Sequence, residues 1–90
     1  MALYVISYDY RNNRNYDPLY ALLERWNAKP LLESVWLANL NGSAPAVRRE
    51  LVSTGDGDES FAVIELKPNS DWATTPGVKQ SGVEWLETHL

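Results

Sequence analysis

The chain contains no cysteine and a single histidine among its 90 residues. The lack of cysteine excludes a disulfide framework, a thiolate metal site and a cysteine nucleophile. His89 stands next to the last residue and gives no basis for a histidine-based triad. The sequence also lacks a phosphate-cradling glycine loop and a dinucleotide-binding fingerprint. We therefore expect neither a cysteine nucleophile nor a histidine-based catalytic triad, and no glycine-rich nucleotide-binding motif.

Basic residues are too few for a broad nucleic-acid-binding face. Twelve acidic side chains against eight basic ones give a net charge of −4, so any nucleic-acid contact has to be local or shared between protomers. No apolar run approaches membrane-spanning length, and no basic-then-apolar leader opens the chain. We therefore expect a soluble, cytoplasmic protein with no membrane partner.

The length predicts one domain, residues 1–90, with a modest core. A domain of this size gains stability by hiding a further apolar face in an oligomer, so we expect a homodimer. Residues 3–10 are β-branched and aromatic, and both faces of the strand that they predict are largely apolar. This first strand should be central in its sheet.

The rest of the chain alternates helix and strand signals. Asp17 and Pro18 start a helix that ends at Lys29-Pro30, and residues 31–40 read as extended, with Glu33 and Ser34 as a bend or hairpin. Ser43 caps a second helix with Gly55 as its stop. Residues 61–67 form a further strand, and a short helix is predicted in residues 78–90.

This order predicts an α+β fold, the ferredoxin-like βαββαβ sandwich. Two helices should cover one face of an antiparallel sheet. We expect the opposite face to stay open and to be buried in the homodimer.

Asp9 closes the apolar first strand and invites two interpretations. It is either a cap for the following loop or a metal ligand. A metal site needs a second carboxylate, because Mg²⁺ and Mn²⁺ prefer hard oxygen ligands. A two-fold axis near Asp9 would supply it from the second protomer.

Basic side chains follow Asp9 at Arg11 and Arg14, in an asparagine-rich loop. Arginine binds phosphate bidentately, so these two are candidate substrate-phosphate ligands, with a solvated loop as the alternative. Arg48 and Arg49 lie beside Glu50 on the second helix and fit a solvated face. Glu33 and Glu65 are predicted inside strands.

The acidic stretch after the second helix, residues 56–59, resembles the start of a calcium loop. An EF-hand counted from Asp56 requires a glutamate where Lys67 stands, so we interpret it as a turn.

Three short motifs carry a family resemblance: Tyr8-Asp9 ends the first strand, Ser34-Val35-Trp36 opens the second, and "FAVIEL" forms the last. Together they resemble the CRISPR-associated protein 2 family and its SinR-like relatives, over residues 3–67. The resemblance implies a ferredoxin-like homodimer in which Asp9 matches the family's metal-binding aspartate, facing its copy. The acidic composition, the helical tail and the longer polar loop favour the SinR-like branch.

Two functions follow. In the first, the homodimer holds Mg²⁺ or Mn²⁺ between two Asp9 side chains and cleaves phosphodiesters of RNA or DNA as an endonuclease, with Arg11 and Arg14 positioning the phosphate. In the second, the same dimer is non-catalytic and binds a protein or nucleic-acid partner. One carboxylate per protomer and the lack of an evident general base favour the second, whereas the family resemblance favours the first.

Overall fold

The computed structural model describes residues 1–9, 15–55, 57 and 59–90. Within these ranges four strands and three helices follow one another along the chain. In chain order they are β1 (Ala2–Asp9), α1 (Asp17–Arg25), β2 (Lys29–Leu32), β3 (Val35–Leu40), α2 (Ala44–Val52), β4 (Ser60–Leu66) and α3 (Gln80–His89).

The four strands form one antiparallel sheet in the order β2-β3-β1-β4. β1 pairs with β3 along one edge and with β4 along the other, as its two apolar faces predicted. The architecture is α+β and is consistent with the ferredoxin-like prediction.

The predicted division of residues 31–40 is confirmed, because Glu33 and Ser34 form the turn between β2 and β3. β2 begins earlier than expected, at Lys29, so the Lys29-Pro30 pair lies in a strand and does not end α1. The proline is tolerated there because β2 is an edge strand.

α1 ends at a Schellman motif. Asn27 has a left-handed backbone (φ 57°), its N–H donates to the Glu24 carbonyl, and the Ala28 N–H donates to the Leu23 carbonyl. Asparagine tolerates this conformation better than most residues. At the other end, the side chain of Asn15 accepts from the Asp17 N–H at 3.0 Å, so Asp17 is the first helical residue and not the cap.

The N-terminus of α2 is capped as predicted. The Ser43 hydroxyl oxygen accepts a hydrogen bond from the Ala46 N–H at 3.3 Å, and Pro45 lies in the first turn. The helix ends at Val52, three residues before Gly55, where the N–H groups of Ser53, Thr54 and Gly55 bond back to the last turn. The strand after it begins at Ser60, one residue earlier than predicted.

Two of the helices cover one face of the sheet. Tyr4, Ile6 and Tyr8 of β1 are buried and face α1 and α2, which present Leu19, Leu22, Leu23, Val47 and Leu51 to them. The Tyr4 hydroxyl also donates to the Gly42 carbonyl at 2.6 Å, which ties β1 to the turn before α2. This is the main core of the domain.

The opposite face is not open, contrary to the prediction. α3 packs there, with Trp85 and Leu86 buried against Leu37 and beside Leu3 and Val5. The prediction was wrong because the apolar stripe of the tail helix indicates that one helix face is buried, but not that the sheet of the same chain buries it. Here the connection of residues 67–79 carries the chain from β4 to the β2 edge, and Trp72 within it joins the same cluster.

α3 is held against β2 by backbone contacts at Gly82. The N–H of Lys79 donates to the Leu31 carbonyl at 2.9 Å, and the Ser81 hydroxyl donates to the Pro30 carbonyl at 3.1 Å. A Cβ atom placed on Gly82 would lie 2.6 Å from the Leu31 Cα and 2.7 Å from the Pro30 oxygen. No residue larger than glycine fits without moving the helix. Across the described ranges, no helix has the length and apolar character needed to span a bilayer.

We predict that Gly82→Ala lowers the free energy of unfolding by roughly 1–3 kcal/mol, because the added methyl group overpacks against backbone. The gain in helix propensity, about 1 kcal/mol, offsets part of this cost. Urea unfolding of purified protein measures the difference.

The matched control is Gly77→Ala, since no atom lies within 4 Å of a Cβ at Gly77. Its stability should stay unchanged or rise by about 0.4–1 kcal/mol. Equal stabilities for the two variants would contradict close docking of α3 on β2.

Candidate functional site

Asp9 is the last residue of β1 and is exposed. It pairs with Ser60 at the start of β4, so it stands at one end of the sheet on a central strand. The alternation along β1 puts it on the face that carries α3, two residues beyond Ser7 and opposite the side of Tyr8. The carboxylate is thus accessible to solvent and to a second molecule.

α3 leaves part of this face uncovered next to Asp9. We call this part the β1–β4 strip: Ser7, Asp9, Ser60, Ala62 and Ile64. Ala62 is exposed, and 58% of the Ile64 surface is accessible. The strip is therefore a small, partly apolar surface with one acidic group at its end.

No three His, Cys, Asp or Glu side chains within the described ranges lie close enough together to hold a metal ion. Asp9 has the hard oxygen ligands that Mg²⁺ and Mn²⁺ prefer, but it offers one carboxylate per protomer. Arg11 and Arg14 lie in residues 10–14, outside the described residues. A metal site at Asp9 therefore needs a further protein ligand, such as Asp9 of a second copy.

Glu33 lies at the same end of the sheet as Asp9, in the β2–β3 turn; this agrees with the predicted bend and not with the alternative position inside a strand. The Tyr8 N–H donates to the Ser34 carbonyl at 3.1 Å, and the Tyr8 hydroxyl donates to the Glu33 carbonyl at 3.1 Å. Glu65 is in β4 as predicted, where it pairs with Tyr4. It is on the opposite face from Asp9 and takes no part in this site.

Two other stretches singled out in the sequence are the arginine pair of α2 and the acidic residues 56–59, which directly precede Ser60, the strand partner of Asp9. Arg48 and Arg49 are exposed on α2, as a solvated face predicts. In the acidic stretch of residues 56–59, Asp56 and Asp58 are outside the described residues.

Aromatic rings surround the end of β1 on the helix face. Tyr8 lies 6.0 Å from Tyr16 and 6.4 Å from Phe61, measured between ring centroids. Tyr16 stacks on Tyr20 at 5.5 Å, and Tyr20 lies 6.0 Å from Trp36. The three tyrosine rings border a cavity of about 180 Å³ with Glu33 and Ser34. They fix the β1 end that carries Asp9 against α1 and the β2–β3 turn.

The pKa of Tyr8 is raised well above that of an ordinary tyrosine. Burial of the ring is the main cause, because it disfavours the charged phenolate, and the nearby Tyr20 side chain raises the pKa further. The side chain of Trp36 acts in the opposite direction and lowers the pKa. Tyr8 therefore stays protonated and donates to the turn throughout the neutral range.

Two larger clefts lie at the other end of the sheet and were not predicted from the sequence. The arginine cleft, about 450 Å³, lies between α1 and α2; the tryptophan cleft, about 570 Å³, lies between the α1–β2 connection and α3. The arginine cleft is lined by Leu22, Arg25, Trp26, Leu40, Asn41, Ala46, Val47, Arg49 and Glu50. The tryptophan cleft is lined by Met1, Trp26, Asn27, Lys29, Asn39, Ser81, Glu84, Trp85, Thr88 and His89. Trp26 belongs to both.

Comparison with known proteins finds no protein-family model that matches this chain and no solved structure that matches it significantly.

We predict that the protein loses stability as the pH rises above 10.0, the ordinary value for tyrosine. Above that pH the unfolded chain releases the Tyr8 proton while the folded protein keeps it, so the unfolded state binds fewer protons and the free energy of unfolding falls. Tyr8→Phe should make this decline less steep, and should cost about 1 kcal/mol at neutral pH through the lost hydrogen bond.

Urea unfolding of both proteins at a series of pH values from neutral to alkaline tests the prediction. Parallel curves for the wild type and Tyr8→Phe would show that Tyr8 does not contribute to the alkaline loss.

Proposed function

We propose that the chain is a ferredoxin-like, CRISPR-associated protein 2-like homodimer that cleaves phosphodiesters of RNA or DNA with a divalent metal at Asp9. The observation that carries the proposal is the position of Asp9: it is exposed, ends a central strand, and lies on the part of the sheet face that α3 does not cover. The strand order and the helix–strand alternation support the ferredoxin-like assignment.

The β1–β4 strip is the surface through which the two copies would meet. It offers exposed Ala62 and Ile64 on the same face as Asp9, and a two-fold axis that passes through the strip near Asp9 would bring the two aspartates toward each other. Two facing carboxylates repel, and a cation between them relieves that repulsion. The homodimer and the metal site are therefore one proposal.

Asp9 of each protomer is the proposed ligand of Mg²⁺ or Mn²⁺. Such a cation, when bound, supplies charge stabilisation at the phosphate and lowers the pKa of its water. Arg11 and Arg14, two and five residues after Asp9 in the chain, are the proposed phosphate ligands, because their guanidinium groups match phosphate oxygens in charge and shape.

The second candidate is a non-catalytic, SinR-like dimer that binds a protein or nucleic-acid partner. It is favoured by the sparse ligand set, since the described ranges hold no group of three metal-binding side chains. In this case Asp9 is a cap, and its carboxylate would accept hydrogen bonds from backbone amides of the loop that follows it. The expected cytoplasmic location is shared by both candidates and stays a prediction.

We predict that Ile64→Asp converts the homodimer to a monomer, because it places two like charges and two desolvated carboxylates at the two-fold contact. Analytical ultracentrifugation of the wild type and the variant measures the change in mass.

The control is Val52→Asp, since Val52 is a similarly exposed apolar residue (45%) on α2, away from the strip. It should remain dimeric. A monomeric wild type, or an unaltered dimer in Ile64→Asp, would refute the proposed contact.

We predict that the wild-type protein cleaves RNA or duplex DNA with Mg²⁺ or Mn²⁺, and that Asp9→Asn lowers the rate by about 100-fold or more. Loss of an outer-shell group typically costs 10–100-fold, and Asp9 is proposed as a direct ligand. Gel analysis of end-labelled substrates, with and without a chelator, measures the rate.

Asp71→Asn is the matched control, because Asp71 is exposed in the connection after β4, next to Trp72, which packs against the α3 cluster. It should cleave at the wild-type rate. No cleavage by the wild type over a broad pH range would remove the nuclease proposal, and equal cleavage by Asp9→Asn would point to a contaminant.

The binding candidate is then tested by a salt-dependent electrophoretic mobility shift of labelled DNA, which should weaken when Arg11 and Arg14 are replaced by alanine.

A further inference from the structure

The arginine and tryptophan clefts meet at Trp26. Trp26 is half-buried, caps α1 and lines both clefts. An aromatic side chain therefore lies where the two clefts adjoin. A ligand that spans both clefts has to pass over or beside the indole ring.

The arginine cleft is suited to an anion. It is lined by two exposed guanidinium groups, Arg25 at the end of α1 and Arg49 on α2, against a single carboxylate, Glu50. A net positive cleft is unusual on a chain with a net charge of −4. Two arginines on different helices can bind one phosphate from two sides.

The tryptophan cleft is suited to a planar ring with polar edges. Trp85 stacks on His89 with ring centroids 4.3 Å apart and 23° between the planes, and Trp26 lines the same space. His89 Nδ1 lies 2.9 Å from the Trp85 carbonyl, so Nδ1 carries a proton and Nε2 of the neutral ring is an acceptor. Asn39, Ser81 and Glu84 add further donors and acceptors.

We propose that the two clefts together bind a nucleotide, with its phosphate between Arg25 and Arg49 and its base in the tryptophan cleft beside Trp26. Arginine pairs recognise phosphate, and tryptophan stacks on any base while nearby amide, hydroxyl and carboxylate groups bind its edge. The ligand is either a free mononucleotide or the 5′-phosphorylated end of a strand, which present the same chemistry.

The nucleotide site is separate from Asp9. Met1, Asn39 and Leu40 line the clefts at the end of the sheet where β1 begins, whereas Asp9 ends β1. An eight-residue strand rises roughly 3.3 Å per residue, so its two ends lie about 23 Å apart. The proposal therefore does not depend on the nuclease proposal.

The test is titration of the ¹⁵N-labelled protein with adenosine 5′-monophosphate, followed by NMR. The indole N–H signal of Trp26 and the amide signals of Arg25 and Arg49 should shift saturably, while the indole signal of Trp72, which is outside both clefts, should not. Adenosine and inorganic phosphate, titrated separately, should each bind at least about tenfold more weakly, because each fills one cleft.

Variants locate the phosphate. Arg49→Gln should weaken binding of the nucleotide about tenfold or more, since it removes a charge-assisted hydrogen bond to the phosphate. Arg48→Gln is the matched control: Arg48 is the adjacent exposed arginine on α2 and lines neither cleft. It should change the affinity by less than about twofold. Asp9→Asn should bind the nucleotide as the wild type does.

A 5′-phosphorylated oligonucleotide and its unphosphorylated form distinguish the two sources of the ligand. Shifts with the mononucleotide alone assign a free nucleotide; shifts with the phosphorylated strand and not with its unphosphorylated form assign a strand end. The proposal is overturned if the mononucleotide gives no saturable shift at millimolar concentration, if adenosine binds as tightly, or if Arg48→Gln and Arg49→Gln weaken binding equally.

Discussion

The central constraint on this structure is that β1 is covered on both faces. Its even-numbered residues, Tyr4, Ile6 and Tyr8, are buried under α1 and α2, and its odd-numbered residues Leu3 and Val5 lie in the cluster built on α3. A strand with period two cannot shift by one residue without exchanging these two sets. The register of β1 therefore fixes which side of the sheet Asp9 occupies and which residues stand beside it.

Local signals in the sequence predicted the fold well where a single short stretch decides the structure. The Glu33 and Ser34 turn and the Ser43 cap were found from the residues alone, and the short tail helix and central β1 were also correct. The end of α1 was misplaced because Asn27, and not Lys29-Pro30, stops the helix through its left-handed backbone. An asparagine at that position is a weaker signal than a glycine.

The packing of the tail and the two clefts could not be predicted, because both depend on residues distant in the chain. Gly82 approaches the backbone of Pro30 and Leu31, and no residue close to Gly82 in the sequence indicates this contact. Arg49 was interpreted as part of a solvated face, and nothing in the sequence pairs it with Arg25 until the fold puts α1 beside α2. The position of Asp9 at the end of a central strand was predictable, whereas the pairing with a second Asp9 remains a prediction about another copy.

The sheet separates two apolar clusters that share no side chain, and each cluster has two of the four tryptophans. Trp26 and Trp36 pack on the α1–α2 side, and Trp72 and Trp85 on the α3 side. The second layer is the smaller one, so α3 and its connection have the features of a separate cooperative unit that opens at lower free energy than the main core. The intrinsic fluorescence of the protein consequently sums contributions from two layers of one small domain.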